Sequence, residues 1–104
     1  MSEANNIRNA AKNLSDAVRR QMTLEKDRAA IKLAAISRII ASGDNPLTGK
    51  PHSFSSADAV VHTDADYDNH LSQLVDATCN KLIAVGEYDA AIAESNIGRS
   101  IKND

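Results

Sequence analysis

The first 42 residues contain neither proline nor glycine. Over that stretch larger apolar residues and alanines recur in steps dominated by three and four: Ile7, Ala11, Leu14, Val18, Met22, then Ala29, Leu33, Ile36 and Ile40. Such spacing keeps one stripe on one face of a helix, and nothing before Gly43 breaks it. One helix over about residues 5–42 follows, roughly 50 Å long at 1.5 Å per residue. Glu25 interrupts the stripe, and Leu24, Ile31, Ala35 and Ile39 carry a neighbouring one, the drift expected when a helix departs from a strict heptad. Gly43 is the natural C-terminal stop, with Arg38 well placed in the last turn against the helix dipole.

A second stripe runs Tyr67, Leu71, Leu74, Val75, Thr78, Leu82, Val85, Tyr88 and Ile92. It predicts a second helix over about 64–98, opened by Thr63 and Asp66 as a variant capping box and ended by Gly98, with residues 99–104 frayed. Gly86 falls inside this run, at a cost of roughly 1 kcal/mol relative to Ala unless close packing or a bend uses it. Ala57–Val61 has the pattern of a short helical turn capped by Ser55 or Ser56. The expected fold is all-α: one domain over 1–104, two long helices in an antiparallel hairpin of coiled-coil character, joined by an ordered connection at 43–63.

Composition bears on how such a hairpin closes its core. Of 44 apolar residues 17 are alanine, and only Phe54, Tyr67 and Tyr88 are aromatic. So little large apolar bulk makes a thin core, and a lone hairpin buries one stripe on each helix while the flanks stay wet. Two hairpins together give a four-helix bundle, so a homodimer or higher homo-oligomer is expected. Charge is divided: residues 1–42 carry a net +4, residues 57–104 a net −6, and the segment between is neutral. Opposite halves suggest elements lying side by side, within one chain or between chains.

Several function classes find no support. Cys79 is the sole cysteine and sits in an apolar helical run, which predicts a buried structural thiol and no disulfide scaffold. No apolar leader opens the chain and no segment reaches the length of a membrane span, so a cytoplasmic setting without membrane contact is expected. His62, Asp66 and His70 recur at intervals of four, but a helix start between the first two spoils a shared face, and no metal site is assigned. No nucleophile elbow, Glu–His–Glu bundle motif or cysteine pair supports an enzyme or a cofactor. Arg8, Lys12, Arg19, Lys26 and the bases beyond them spread around the first helix, and stacking aromatics are missing, which disfavours nucleic acid.

The connection 43–56 is the least ordinary stretch. It holds both prolines, two of the four glycines and the only phenylalanine, an anchor for the core. Gly43 and Gly49-Lys50 look superficially like a phosphate loop, but the glycines are one residue too far apart. Pro51 also stands where Ser or Thr would hold magnesium, which rejects an NTPase. A weaker anion site survives: Thr48, Gly49, Lys50, His52 and Ser53 form a dense set of donors, with backbone N–H groups of Gly49 and of the turn at Ser55–Ser56 as a nest. The competing reading is a structural turn whose serines cap helices.

The string Asn45-Pro46-Leu47-Thr48-Gly49-Lys50-Pro51-His52-Ser53, between a long helix and an acidic helix start containing Asp66-Tyr67, resembles small helical proteins encoded by bacteriophages and prophages. The likeness covers about half the chain and carries no assigned activity or site residues. It implies a bacterial host cell, and a binder or inhibitor of a host or phage protein in place of an enzyme. The expected function is therefore a non-enzymatic interaction module whose 44–56 loop contacts an anionic ligand, such as a phosphate or nucleotide, or a protein partner. Two alternatives are an assembly protein acting through its helix faces and a nucleic-acid accessory protein.

Overall fold

In a computed structural model the chain is an all-α helical hairpin. Backbone is described for residues 3–103 and side chains for residues 3–97. Helix α1 spans Glu3–Ala41, α2 spans Phe54–Ala59, a 3-10 turn spans Val61–Thr63, and α3 spans Ala65–Asn103. Both long helices were legible, within about two residues at the ends facing the connection. The stop expected at Gly98, with residues 99–104 frayed, is not found: α3 runs through Gly98 to Asn103, glycine weakening a helix without ending it.

Two compact units are present, each built from a stretch of both long helices: Met1–Met22 with Asp76–Asp104, and Thr23–Val75. In the Thr23–Val75 unit the core gathers Ala35, Ile36, Ala57, Val61 and Tyr67, with Ile31, Ile39 and Leu71 packed against it. Helix α2 therefore contributes through a small residue, and the apolar bulk comes from α1, the 3-10 turn and α3. Phe54, expected as an anchor for this core, instead stays 58% exposed. As the first residue of α2, it lies three positions from the buried Ala57, and the small residue takes the inward place.

The N-terminus of α3 is made by Asp64, whose Oδ1 accepts the Tyr67 amide at 3.0 Å. Thr63, expected as the cap, closes the 3-10 turn and donates its hydroxyl to the Val60 carbonyl at 2.7 Å. Arg38, in the last turn of α1, donates from Nε and Nη2 to the two Asp64 oxygens at 2.9 and 2.8 Å, and its Nη2 lies 3.6 Å from Asp66. One carboxylate thus caps α3 and receives the end of α1. The hydrogen bonds from Arg38, then that from the Tyr67 amide, hold the Asp64 carboxyl down to about 2. Lys32 reaches Asp58 at 3.0 Å and fastens α2 to α1.

In the unit of Met1–Met22 and Asp76–Asp104 the seam is lined by alanines. Ala10, Ala77 and Ala84 are buried beside Ser95, and Leu14, Ala17, Gln21, Val85, Tyr88 and Ile92 are half-buried. Gln21 Nε2 donates to Thr78 Oγ1 at 3.2 Å across the seam. Small side chains let two helices approach closely, and they leave little apolar area to bury.

The seam on α1 differs from the stripe expected. Ala10, Leu14, Ala17, Gln21, Leu24, Ile31 and Ala35 turn inward at alternating steps of three and four, with one seven-residue step, whereas Ala11, Met22, Ala29, Leu33 and Ile40 lie outside. Met22 is 65% exposed and Leu33 56%. Ile36 alone of the expected stripe is fully buried, because α2 and its flanking turn cover it. Most of the apolar bulk of α1 (Ile7, Leu14, Val18, Leu24, Ile31, Ile36 and Ile39) is buried or half-buried, and Met22, Leu33 and Ile40 are left outside.

Candidate functional sites: the connecting loop and the outer helix faces

The loop is built around its own hydrogen bonds. Gly43 (φ +137°) and Gly49 (φ +67°) take conformations closed to most other residues. Asp44 and Pro51 form an isolated antiparallel bridge, and the Asn45 amide donates to the Lys50 carbonyl at 2.8 Å. Within this ring Asn45 is the hub. Its side-chain oxygen accepts the Leu47 amide at 3.0 Å, and its carbonyl accepts the amides of Thr48 at 3.2 Å and Gly49 at 2.8 Å. The Lys50 amide donates to Thr48 Oγ1 at 3.3 Å.

Ser53 and Ser56 then form a capping box on α2, each backbone N–H donating to the other's hydroxyl at 2.9 and 3.1 Å. The cap expected from Ser55 or Ser56 is therefore supplied by Ser53, with Ser56 as its reciprocal partner. His52 Nδ1 lies 3.0 Å from Ser56 Oγ, which also lies 3.2 Å from the Ser53 carbonyl. With the Nδ1–H tautomer of His52, the ring donates to Ser56 Oγ while that hydroxyl donates to the Ser53 carbonyl; with the other tautomer the one hydroxyl hydrogen serves Nδ1 or the carbonyl.

These bonds decide what the expected anion site can offer. The amides of Gly49, Lys50 and Ser56, which a nest would aim at a ligand, are spent on Asn45, Thr48 and Ser53. Thr48, Gly49, Lys50 and Ser53 are exposed and His52 is half-buried. Side-chain groups remain on Lys50, Thr48, His52 and Ser53, led by the Lys50 ammonium. At the rim of the loop Leu47 is 90% exposed, beside a cleft of about 420 Å³ lined by Ile39, Pro46, His52 and Val60.

The other candidate chemistry is dispersed. His62 is exposed in the 3-10 turn, Asp66 faces Arg38, and His70 is buried with Nε2 2.8 Å from the Leu24 carbonyl. Among the described residues no group of His, Cys, Asp and Glu is arranged to hold a metal ion. Cys79 is exposed, contrary to the buried thiol expected, because the inward positions on that turn of α3 are Ala77 and Thr78.

What sequence reasoning missed is the amount of apolar surface left outside. Leu33, Ile40, Phe54 and Val75 in the Thr23–Val75 unit, and Met22, Leu82, Ile83 and Ile97 in the other, are each more than two-fifths exposed. Leu33 and Phe54 line a groove of about 370 Å³ with Ala29 and Ile36, closed on one edge by Lys32 and Asp58. The signal was present in the α1 stripe itself. Its steps of three and four were those of an apolar face, and the parallel run of alanines was available to form the seam. Arg8, Lys12 and Arg19 also share an edge, within an arc of about 40° on an ideal helix, where dispersal had been expected.

No family model, curated protein or solved structure matches the chain. Among the described residues no helix is long and apolar enough to cross a membrane.

Proposed function

We propose that the protein is a non-enzymatic interaction module that works through its outer helix faces, as a homo-oligomer of coiled-coil-like hairpins in a bacterial cytoplasm. The observation that carries this reading is the apolar surface left outside: Met22, Leu33 and Ile40 on α1, and Val75, Leu82 and Ile83 on α3, are exposed. Exposed apolar side chains in such number mark a surface that is covered by something. The resemblance to small phage and prophage proteins agrees with a module that binds. The loop, with its amides spent internally, serves as a rigid turn that sets α2 on α1.

The test is sedimentation at micromolar concentration of the wild type and of a Leu33→Gln, Leu82→Gln variant. The reading expects a multimer that dissociates in the variant with helicity unchanged. A fully helical wild-type monomer, or a variant that stays associated, overturns it.

A second reading gives the loop the contact, because Leu47 stands 90% exposed on a closed ring with Lys50 beside it. An anionic ligand would then meet Lys50, Thr48 and His52. Calorimetric titration with inorganic phosphate is expected to give binding that Lys50→Ala weakens, and no heat in the wild type removes the anion from this reading.

A further inference from the structure

Resting on the helix-face reading, we infer that the outer face of the unit formed by Met1–Met22 and Asp76–Asp104 is covered by the same face of a second copy. In this pairing α1 of each copy lies across α3 of the other, about a two-fold axis parallel to the helices.

Three observations lead there. The Gln21–Thr78 hydrogen bond marks one flank of the seam. At about 100° per residue, the next positions outward on that flank are Val18, Ala11 and Met22 on α1, and Asp89, Leu82, Ala93 and Gly86 on α3. Apart from Asp89 the two helices present an apolar face, with Met22 65% and Leu82 63% exposed. Secondly, Gly86 lies on that face, and a Cβ built there meets nothing within 4 Å, so its own chain makes no use of the missing side chain.

The third observation chooses the occupant. Over residues 3–22 α1 carries Arg8, Lys12, Arg19 and Arg20 against Glu3 and Asp16, a net +2. Over residues 76–97 α3 carries Asp76, Glu87, Asp89 and Glu94 against Lys81, a net −3. A second copy can pack like on like, which sets α1 on α1 and α3 on α3 with like charges together. The crossed pairing sets basic α1 on acidic α3 twice, and every neighbouring pair of helices is then antiparallel. Asp89 points out of the same face as Leu82. Because Gln21 lies opposite Thr78, the two-fold axis brings Asp89 to the height of Ala10 and Ala11 of the second copy, within a turn of its Arg8 and Lys12.

Single-cysteine variants in a Cys79→Ser background test the pairing. Ser15 and Leu82 of opposite copies come within about two residues in height, so a mixture of Ser15→Cys and Leu82→Cys proteins is expected to form a disulfide-linked dimer. The mixture should react about tenfold or more faster than either variant alone, both remaining helical. Asp89→Arg should weaken association at least tenfold, and Arg8→Glu, Lys12→Glu in the same chain should restore it. An associated protein in which Leu82→Cys alone cross-links as fast as the mixture, or in which the charge reversal has no effect, overturns the crossed pairing and leaves the helix-face reading standing. A wild-type monomer overturns both.

Discussion

Gly86→Ala tests the helix against its surroundings more sharply than any core substitution. Gly86 lies well inside α3, where glycine costs about 1 kcal/mol relative to alanine through backbone entropy alone. Whether that gain is realised depends on what the added methyl would touch, and within the chain it meets nothing within 4 Å. The substitution is thus expected to stabilise the isolated chain by about 1 kcal/mol, which for a domain of this size raises the melting temperature by about 4–8 °C. Circular dichroism melts in dilute solution, where self-association is minimal, read this directly. Repeating them at high concentration adds a second reading: a helix of a second copy seated on Gly86 would be pushed outward, and the gain would shrink. An unchanged or lowered melting temperature in the dilute sample refutes the reasoning, because it means the methyl meets an obstacle absent from this structure or that α3 is not helical at Gly86.

Two further perturbations probe the ends of the connection. Asp64→Asn keeps an amide oxygen to cap α3 but removes the charge that Arg38 grips. Since the Asp64 carboxyl is held down to about 2, its pairing contributes stability that is fully present above the ordinary carboxylate range and is lost as pH falls through about 2. The variant should melt lower than wild type at pH 7, with the difference closing between about pH 4 and pH 2, and parallel melting curves at every pH would contradict this. Ser53→Ala removes the capping box of α2 and should cost about 1 kcal/mol in chemical denaturation. An unchanged denaturation midpoint would show that α2 does not depend on its cap.

The long helices were legible because their signals are local: no breaker before Gly43, periodic apolar residues, and acidic residues crowding the start of α3. The caps were less so, since Asp64, Thr63, Ser53 and Ser56 are chemically near-equivalent cappers, and position in space chose among them. Gly49 and Lys50 stood out in the sequence, but it could not reveal that Asn45 would take up the Gly49 amide and Thr48 the Lys50 amide. On α1 the neighbouring stripe of Leu24, Ile31, Ala35 and Ile39 turned inward together with Ile7, Leu14, Val18 and Ile36, and the misses were Met22, Leu33 and Ile40. A rule that puts the largest apolar residues inside predicts Met22, Leu33 and Ile40 in the seam, and it holds when the chain has a partner surface of matching width. Here the inward face of α3 over residues 77–91 mixes Ala77, Ala84 and Ala91 with the half-buried Val85 and Tyr88. In the unit of Met1–Met22 and Asp76–Asp104, Ala10 and Ala17 are the small residues of α1 turned toward that face, and small side chains allow close approach. The small residues of that seam bury little apolar area, and Met22, Leu33 and Ile40 add to the apolar surface left outside. On the helix-face reading proposed above, that outer surface is the one a second molecule would cover.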